Sequence, residues 1–324
     1  MPHLQNKNAG RSNLERPATE ATEAISIELD FRQIKMVAQE VILSSQKLWT
    51  DIQGQPMHYL QLGQGPPLLL VHGLLGGAFC WRFNIPALSQ QYSVYAVDLP
   101  GSGLSDAPPH TDCSMEMQAQ RLLQFIQQLG LSNVRIVASS WGGAISLLLA
   151  ALDAGVRTPR IRSLVLCAPV NPWSNFGRRR IKVLKSYLGG LFLQMVWPIS
   201  KPAHSIALHR MYGNPERIAK GSLEGYVFNT VRPGRARNIV NVLRNWRKDV
   251  ELLQRLIHQV QIPTLLVWGT KDGAVDIRSA ETLLKILSNC EYTALAGVGH
   301  LPFEEVPEEF NRLVLEFLAR ATEH

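Results

Sequence analysis

The stretch from residue 134 to residue 146 constrains the fold most, because a short apolar run meets a helical pattern there without a spacer. Residues 134–138 are apolar except for Arg135, and three of them are β-branched, which is typical of a buried parallel strand. From Trp141 onward the apolar residues recur at helical spacing. A direct turn from strand to helix through small residues holds Ser140 out at the N-terminus of the helix. Ser140 is therefore the first candidate nucleophile.

Strand and helix patterns alternate along the rest of the chain. A hairpin is predicted at 49–62. Further strands are predicted at 68–71, 92–98, 163–167, 263–268 and 292–296, and helices at 78–91, 114–129, 278–287 and 307–319. This alternation predicts an α/β fold, with a mostly parallel central sheet flanked by helices on both faces.

One connection is much longer than the others. About a hundred residues separate Cys167 from Thr264, far more than one crossover helix needs. We therefore predict an inserted helical cap at 171–253, between two parts of an α/β core at 47–170 and 254–324. Residues 1–46 are predicted to form an N-terminal arm that is partly disordered or helical.

Composition excludes several classes of protein. Of the 324 residues, 46% are hydrophobic and 18% are charged, which argues against intrinsic disorder. The four cysteines lie far apart and form no zinc or disulfide pattern, so a reducing compartment is expected. No secretory leader and no membrane-spanning run are recognised. We expect a cytoplasmic protein without a metal or a cofactor.

Three chemically useful side chains follow predicted strands in the order Ser140, Asp272, His300. In an open parallel sheet the working residues lie beyond the carboxyl ends of the strands. Taken singly, Asp272 could begin a turn and His300 could be an ordinary loop histidine. Taken together, they fit a nucleophile, a base and an orienting acid. An imidazole activates a serine hydroxyl near neutrality, and a carboxylate holds the ring.

Several segments resemble the α/β-hydrolase family. They are His-Gly-Leu-Leu-Gly-Gly at 72–77, the loop at 98–106, Ser-Ser-Trp-Gly-Gly at 139–143, Trp-Gly-Thr-Lys-Asp at 268–272, and Gly-His-Leu-Pro at 299–302 with the segment 303–310. The resemblance runs from about Trp49 to Leu318 and is only positional within the cap. In this family the strand-to-helix turn that carries the nucleophile, called the nucleophile elbow, usually reads G-x-S-x-G. This chain has Ala138 in place of the first glycine.

The resemblance implies an α/β-hydrolase fold and assigns roles to particular residues. Ser140 would be the nucleophile, His300 the base and Asp272 the acid, with Asp276 as a second candidate for the acid. The backbone N–H groups of Trp141 and, by resemblance, Leu74 would form the oxyanion hole. No cofactor is required.

The nucleophile narrows the chemistry. Haloalkane dehalogenases and epoxide hydrolases of this fold use Asp as nucleophile, whereas this chain has Ser140. We expect a carboxylic ester hydrolase, an esterase or small lipase, that acts on an ester, thioester or lactone. A carbon–carbon bond or amide hydrolase of the same fold is an alternative. A non-catalytic ligand-binding or receptor-like member is an alternative of another class.

The predicted cap is strongly basic. Residues 171–250 contain fifteen Lys and Arg against three carboxylates, a net charge of +12, whereas the whole chain carries +7. This charge could be a solvated helical face. It would also suit an anionic or amphiphilic ester substrate, or peripheral contact with an anionic membrane. No nucleic-acid partner is expected, because no nucleic-acid motif accompanies the charge. Predicted pocket residues are His72, Leu75, Trp173, Leu191, Phe192 and Met195.

Overall fold

Eight strands form one sheet in the computed structural model, which describes residues 46–174, 183–184, 186–195 and 201–321. The strands are β1 (Gln46–Ile52), β2 (Gln55–Leu62), β3 (Pro67–Val71), β4 (Ser93–Val97), β5 (Val134–Ser139), β6 (Ile161–Cys167), β7 (Thr264–Gly269) and β8 (Cys290–Leu295). They lie in the order β1-β2-β4-β3-β5-β6-β7-β8. β2 pairs antiparallel with β1 and β4, and the other neighbours are parallel.

Helices connect the parallel strands. They are α1 (Ile85–Leu88), α2 (Met115–Gln128), α3 (Ser140–Ala154), α4 (Tyr187–Met195), α5 (Lys201–His209), α6 (Ser222–Val231), α7 (Arg235–Leu256), α8 (Ser279–Ile286), α9 (Pro302–Glu305) and α10 (Pro307–Arg320). Short 3₁₀ helices occur at Ala78–Trp81, Pro215–Arg217 and Ile257–Gln259. The predicted α/β fold with a mostly parallel sheet is confirmed.

The sheet is buried on both faces. Leu69 and Val71 of β3 belong to one hydrophobic cluster, whereas Leu68 and Leu70 belong to a second cluster. Successive side chains of a strand point to opposite faces, so each strand from β3 to β7 supplies both clusters. This double burial explains why the strands read as continuous apolar runs rather than as an alternating pattern.

Two sequence-based expectations need comment. The prediction of one helix over 78–91 is wrong, because a 3₁₀ helix at Ala78–Trp81 and the four-residue helix α1 occupy this stretch. Pro86 lies in the first turn of α1, where it has no N–H to donate and blocks a continuous helix from residue 78. The predicted N-terminal arm lies outside the described residues, except for Gln46, which begins β1.

The connection between β6 and β7, residues 168–263, is called the insertion below. Within the described residues it carries α4, α5, α6 and α7. α7 packs against α2 and α3, and its Trp246 stacks on Trp141 with ring centroids 4.6 Å apart. The insertion is thereby joined to the helix that begins at Ser140. The boundaries of a separate cap at 171 and 253 stay a prediction.

A buried carboxylate lies where α7 meets the N-terminus of α2. The carboxylate of Asp249 accepts a hydrogen bond from the backbone N–H of Met115, and its Oδ2 has no partner among the residues described. Burial raises the pKa of Asp249 to about 7, and the nearby Asp112 carboxylate adds to the rise. The ordinary value is 3.8, so the folded state binds this proton more tightly than the unfolded state. The contribution of Asp249 to stability therefore falls as the pH rises from about 4 to about 7.

Replacing Asp249 by Asn is expected to remove this fall, because the amide keeps an oxygen acceptor and does not ionise. The melting temperature of the variant should exceed that of the wild type at pH 8 and equal it near pH 4, as measured by thermal unfolding across that range. Glu251→Gln, at a half-exposed position on the same helix, is the matched control. A parallel shift in both variants would assign the effect to net charge rather than to burial.

Candidate active site

The turn between β5 and α3 holds Ser140 in a strained conformation. Its φ is +52°, a region that side chains other than glycine rarely occupy. The neighbouring chain holds it there, because the backbone N–H of Val170 donates to the Ser140 carbonyl oxygen at 3.0 Å. A Cβ on Gly142 would lie 2.3 Å from the carbonyl oxygen of His72. This position therefore requires glycine, and the predicted elbow has a steric basis.

The loop after β3 lies directly against the elbow. A Cβ on Gly73 would lie 3.1 Å from the Cβ of Ser140. Leu74 follows and lines the same cavity as Ser140, and Leu75 has a φ of +67°. Trp141 is the second residue of α3, so its N–H belongs to the first turn, where amides have no acceptor within the helix. The two predicted oxyanion-hole residues thus lie in two separate segments, Leu74 in the loop after β3 and Trp141 in the first turn of α3.

His72 anchors this loop rather than lining the cavity at Ser140. Its Nε2 accepts the backbone N–H of Leu99 at 3.1 Å, so its Nδ1 carries the proton and donates to the Gly73 carbonyl oxygen at 2.8 Å. Burial lowers the pKa of His72, which favours the neutral ring that both bonds require. Both ring nitrogens of His72 are thus used in hydrogen bonds to the backbone, and a role of His72 in a substrate pocket stays a prediction.

His300 and Asp272 meet at the ends of β8 and β7. The Nδ1 of His300 lies 2.8 Å from the Oδ2 of Asp272, and both side chains are buried. The other oxygen of Asp272 accepts the backbone N–H groups of Ala274 and Val275, at 2.7 and 3.0 Å. A carboxylate is an acceptor, so the proton of a neutral ring lies on Nδ1 and the Nε2 lone pair is left for chemistry.

Asp276, the alternative acid, is engaged elsewhere. Its carboxylate forms a two-point ion pair with Arg278, with Nη2 to Oδ2 at 2.6 Å and Nε to Oδ1 at 3.0 Å. Arg278 is largely exposed, so the pair points to solvent. The geometry thus favours Asp272 as the partner of His300.

An apolar cavity of about 190 Å³ joins these groups. Ser140 and His300 both line it, and Leu75 lines it as predicted. The remaining lining residues are Gly73, Leu74, Gly76, Cys80, Ser139, His204, Ala207, Leu208, Met211, Tyr226, Thr230, Ala274, Leu301 and Phe303. The cavity therefore offers an apolar compartment with a serine and a histidine at one wall.

Four predicted pocket residues lie elsewhere among the described residues. Trp173 is partly buried against the hydrophobic core. Leu191, Phe192 and Met195 are exposed on α4. The cause is the glycine pair Gly189-Gly190, which packs towards the protein and turns the apolar side of α4 outwards. The sequence pattern identified an apolar face but not the direction in which it points.

The insertion contributes a cavity wall that the sequence analysis missed. His204, Ala207 and Leu208 of α5 line the cavity together with Met211, a spacing of three, four and seven residues along one helical side. His204 is held in place by a hydrogen bond from its Nε2 to the Thr230 Oγ1 at 2.7 Å. This spacing was the available signal, but it is common in helices that merely cover a core.

A buried polar network lies behind the cavity. The Glu304 carboxylate accepts from the Arg82 Nη2 at 3.0 Å and from the hydroxyls of Tyr212 and Tyr226 at 2.8 and 2.6 Å. Burial and the facing carboxylate raise the pKa of both tyrosines, so both hydroxyls keep their protons and donate. The two tyrosines belong to the insertion, whereas Glu304 follows His300 closely in sequence. The network therefore joins the insertion, whose Tyr226 lines the cavity, to the segment that carries His300.

Replacing Glu304 by Ala is expected to lower the free energy of unfolding by about 3–5 kcal/mol, because it leaves the Arg82 charge buried and unpaired. Urea-induced unfolding measures the change. Glu316→Ala is the matched control, since its pair with Arg312 is half-exposed on α10 and contributes only about 0.3–0.5 kcal/mol. Similar losses of unfolding free energy in both variants would show that the buried network stabilises the fold no more than an exposed ion pair does.

Among the described residues, no group of three His, Cys, Asp or Glu side chains is placed to hold a metal ion. No helix in the described part of the chain combines the length and the apolar character that crossing a membrane requires.

Comparisons with known proteins agree with this geometry. A family model described as the alpha/beta hydrolase fold matches residues 66–307. Human epoxide hydrolase 4 is 26% identical over 287 residues, which cover 83% of this chain and 77% of that protein. Human monoacylglycerol lipase ABHD6 is 24% identical over 266 residues, covering 79% and 76%.

Solved structures give the same result at the level of the fold. A serine hydrolase involved in carbazole degradation superposes with a TM-score of 0.70 at 22% identity, covering 85% of this chain and 99% of that one. The relatives named above are hydrolases, which supports a hydrolase here. Since the family model spans most of its length, the chain belongs to the alpha/beta hydrolase fold family.

Proposed function

We propose that this protein hydrolyses a carboxylic ester, thioester or lactone through an acyl-enzyme formed on Ser140. One observation carries the proposal. The strained Ser140 and the histidine of the His300–Asp272 pair line the same apolar cavity. A serine at such a turn, with an oriented imidazole in the same cavity, is the arrangement that nucleophilic acyl transfer requires.

The reaction follows from the hydrogen bonds. Asp272 holds the Nδ1 proton of His300, so Nε2 takes the proton of the Ser140 hydroxyl as the oxygen attacks the carbonyl carbon. The negative oxygen of the tetrahedral intermediate takes hydrogen bonds from the N–H groups of Leu74 and Trp141. His300 then returns the proton to the leaving alcohol or thiol. Water then attacks the acyl carbon while His300 takes its proton, and His300 returns that proton to the Ser140 oxygen as the carboxylic acid leaves.

The identity of residue 140 favours one of these two relatives as a guide to the reaction. Epoxide hydrolase 4 and monoacylglycerol lipase ABHD6 are about equally similar to this chain, at 26% and 24% identity. Epoxide hydrolases of this fold use an aspartate nucleophile, as the family resemblance implies, whereas this chain has Ser140 at that place. A serine supports acyl transfer, so the lipase is the better guide to the reaction class.

The cavity size limits the acyl group. At about 190 Å³ the cavity is somewhat larger than the engineered cavity of about 150 Å³ that holds benzene in T4 lysozyme. Each methylene that enters is expected to raise kcat/KM about fourfold, the equivalent of about 0.8 kcal/mol, until the cavity is full. A p-nitrophenyl ester series should therefore rise from acetate to a chain of about four to eight carbons and then level off. A continued rise to palmitate would contradict an acyl site of this size.

The proposal is tested by a fluorophosphonate label and by turnover of p-nitrophenyl butyrate. We expect one stoichiometric adduct on Ser140, located by peptide mass spectrometry, together with loss of turnover in proportion to labelling. If the protein binds the ester but is not labelled by the fluorophosphonate and does not hydrolyse the ester, it is a ligand-binding member of the family. Cleavage of an amide or of a carbon–carbon bond in preference to the ester would assign the same site to a different bond.

A further inference from the structure

The outer face of α4 is apolar and open to solvent. Leu188, Leu191, Phe192 and Met195 are 75%, 42%, 47% and 64% exposed. Leu191, Phe192 and Met195 lie three, four and seven residues after Leu188, so the four side chains form one continuous stripe along the helix. This set of four residues is called the α4 face. It is an inverted arrangement, since a helix on a soluble domain ordinarily turns such a stripe inwards.

The opposite side of α4 is used to attach the helix. Gly189 and Gly190 are buried, and a Cβ on Gly190 would lie 3.6 Å from a methyl group of Val240 on α7. A Cβ on Gly189 would lie 2.1 Å from the Val183 carbonyl oxygen. The glycine side of α4 therefore lies against α7 at Gly190 and against the preceding segment at Gly189. The large side chains of the α4 face lie on the other side of the helix.

The exposure is concentrated rather than scattered. Within the described residues, ten large hydrophobic side chains are exposed, and six of them lie between residues 183 and 206 of the insertion. Besides the α4 face, these are Val183 and Ile206. Scattered exposed apolar residues need no explanation, whereas a contiguous patch marks a surface that binds something.

The positive charge of the insertion indicates which kind of partner the α4 face would bind. Residues 171–250 carry a net charge of +12 in a chain of net charge +7. Exposed cations of the described residues include Lys201 at the start of α5, and Arg244 and Lys248 on α7, the helix that supports α4. A second copy of this chain would bring the same positive surface and be repelled. An anionic lipid bilayer offers apolar chains for the α4 face and negative headgroups for the surrounding cations.

We propose that the α4 face docks on an anionic lipid bilayer. The neighbouring helix α5 lines the cavity with its inner side, through His204, Ala207 and Leu208, while Ile206 on its outer side is exposed. Helix α5 thus has one side in the cavity and one exposed apolar side chain, so a bilayer that also covers Ile206 would bring an amphiphilic ester to the helix that lines the cavity. The docking itself does not rest on the proposed hydrolysis, but its use for lipid-borne esters does.

Vesicle co-sedimentation of the full chain tests the docking. Vesicles of phosphatidylcholine with about 30% phosphatidylserine should bind the protein, and pure phosphatidylcholine should bind it at least about tenfold more weakly. The variant Leu188→Gln/Phe192→Gln/Met195→Gln should lose at least about tenfold in partition coefficient. Val156→Gln/Tyr292→Gln, which changes exposed apolar residues outside the insertion, is the control and should bind like the wild type.

Binding and hydrolysis are read separately. The triple variant should keep its turnover of p-nitrophenyl butyrate, and Ser140→Ala should keep its vesicle binding, so failure of one assignment leaves the other measurable. Equal vesicle binding by wild type and triple variant would overturn the proposal. It would also be overturned if light scattering found a dimer that the triple variant converts to a monomer, because a second copy would then cover the α4 face.

Discussion

Ser140→Ala is expected to lower kcat for p-nitrophenyl butyrate by at least about a thousandfold and to abolish fluorophosphonate labelling. Alanine keeps the Cβ and the backbone at the elbow, so the fold should persist. What is lost is the oxygen that attacks the carbonyl carbon. The remaining rate would come from the backbone donors and from binding alone. Circular dichroism and thermal unfolding check that the variant remains folded.

Ser139→Ala is the matched control. Ser139 is the neighbouring residue, is buried and lines the same cavity, but it ends β5 with an extended backbone instead of occupying the strained turn. Its loss should leave labelling intact and change kcat only slightly. Labelling of Ser140→Ala at the wild-type rate, or its loss in Ser139→Ala, would move the nucleophile to a different residue.

Local patterns predicted most of the core. The turn from β5 into α3 was predictable because a buried parallel strand and a helix differ in period, and because only small residues fit where Gly142 meets the carbonyl oxygen of His72. The helix α2 was predictable because Ser114 accepts the N–H of Met117 as a cap and Gly130 follows its end. In both places the pattern within one short segment was enough to predict the local structure, although the contact that requires Gly142 comes from His72.

Long-range packing was not predictable in the same way. The apolar stripe of α4 was evident from its sequence, but its direction depends on the fit of Gly189 and Gly190, with Gly190 facing Val240 some fifty residues away. The cavity wall formed by α5 is a similar case, because its apolar side resembles any helix side that covers a core. Periodicity determines that a helix has a face, whereas contacts made elsewhere in the chain determine what that face meets.

The pairing of His300 with Asp272 lies between these cases. Both residues follow strands, so the topology alone predicts that they lie at one edge of the sheet. The sequence already favoured Asp272 over Asp276, and the hydrogen bonds agree with that preference: two backbone N–H groups hold one oxygen of Asp272, and the other faces the ring. Four residues further on, Asp276 is neutralised by Arg278 at the surface.

Asp272→Asn is expected to reduce kcat by about 10⁴-fold, as loss of the orienting carboxylate does in a Ser-His-Asp triad. The amide can keep the bonds from the N–H groups of Ala274 and Val275 through its oxygen, which directs its NH₂ group towards His300. Since a donor then faces Nδ1, the neutral ring must carry its proton on Nε2. That tautomer cannot accept the Ser140 proton, and the imidazolium formed during attack loses its counter-charge.

Asp276→Asn separates this effect from a general loss of negative charge near the site. It removes one carboxylate from the same loop and breaks the ion pair with the largely exposed Arg278, a kind of pair that contributes little to stability. We expect its kcat to stay within about twofold to threefold of the wild type. Steady-state kinetics on both variants, with burst-phase measurements of acylation, decides between the two acids. A crippled Asp276→Asn beside a nearly normal Asp272→Asn would place the acid on the other carboxylate and would require the loop at 272–276 to move before catalysis.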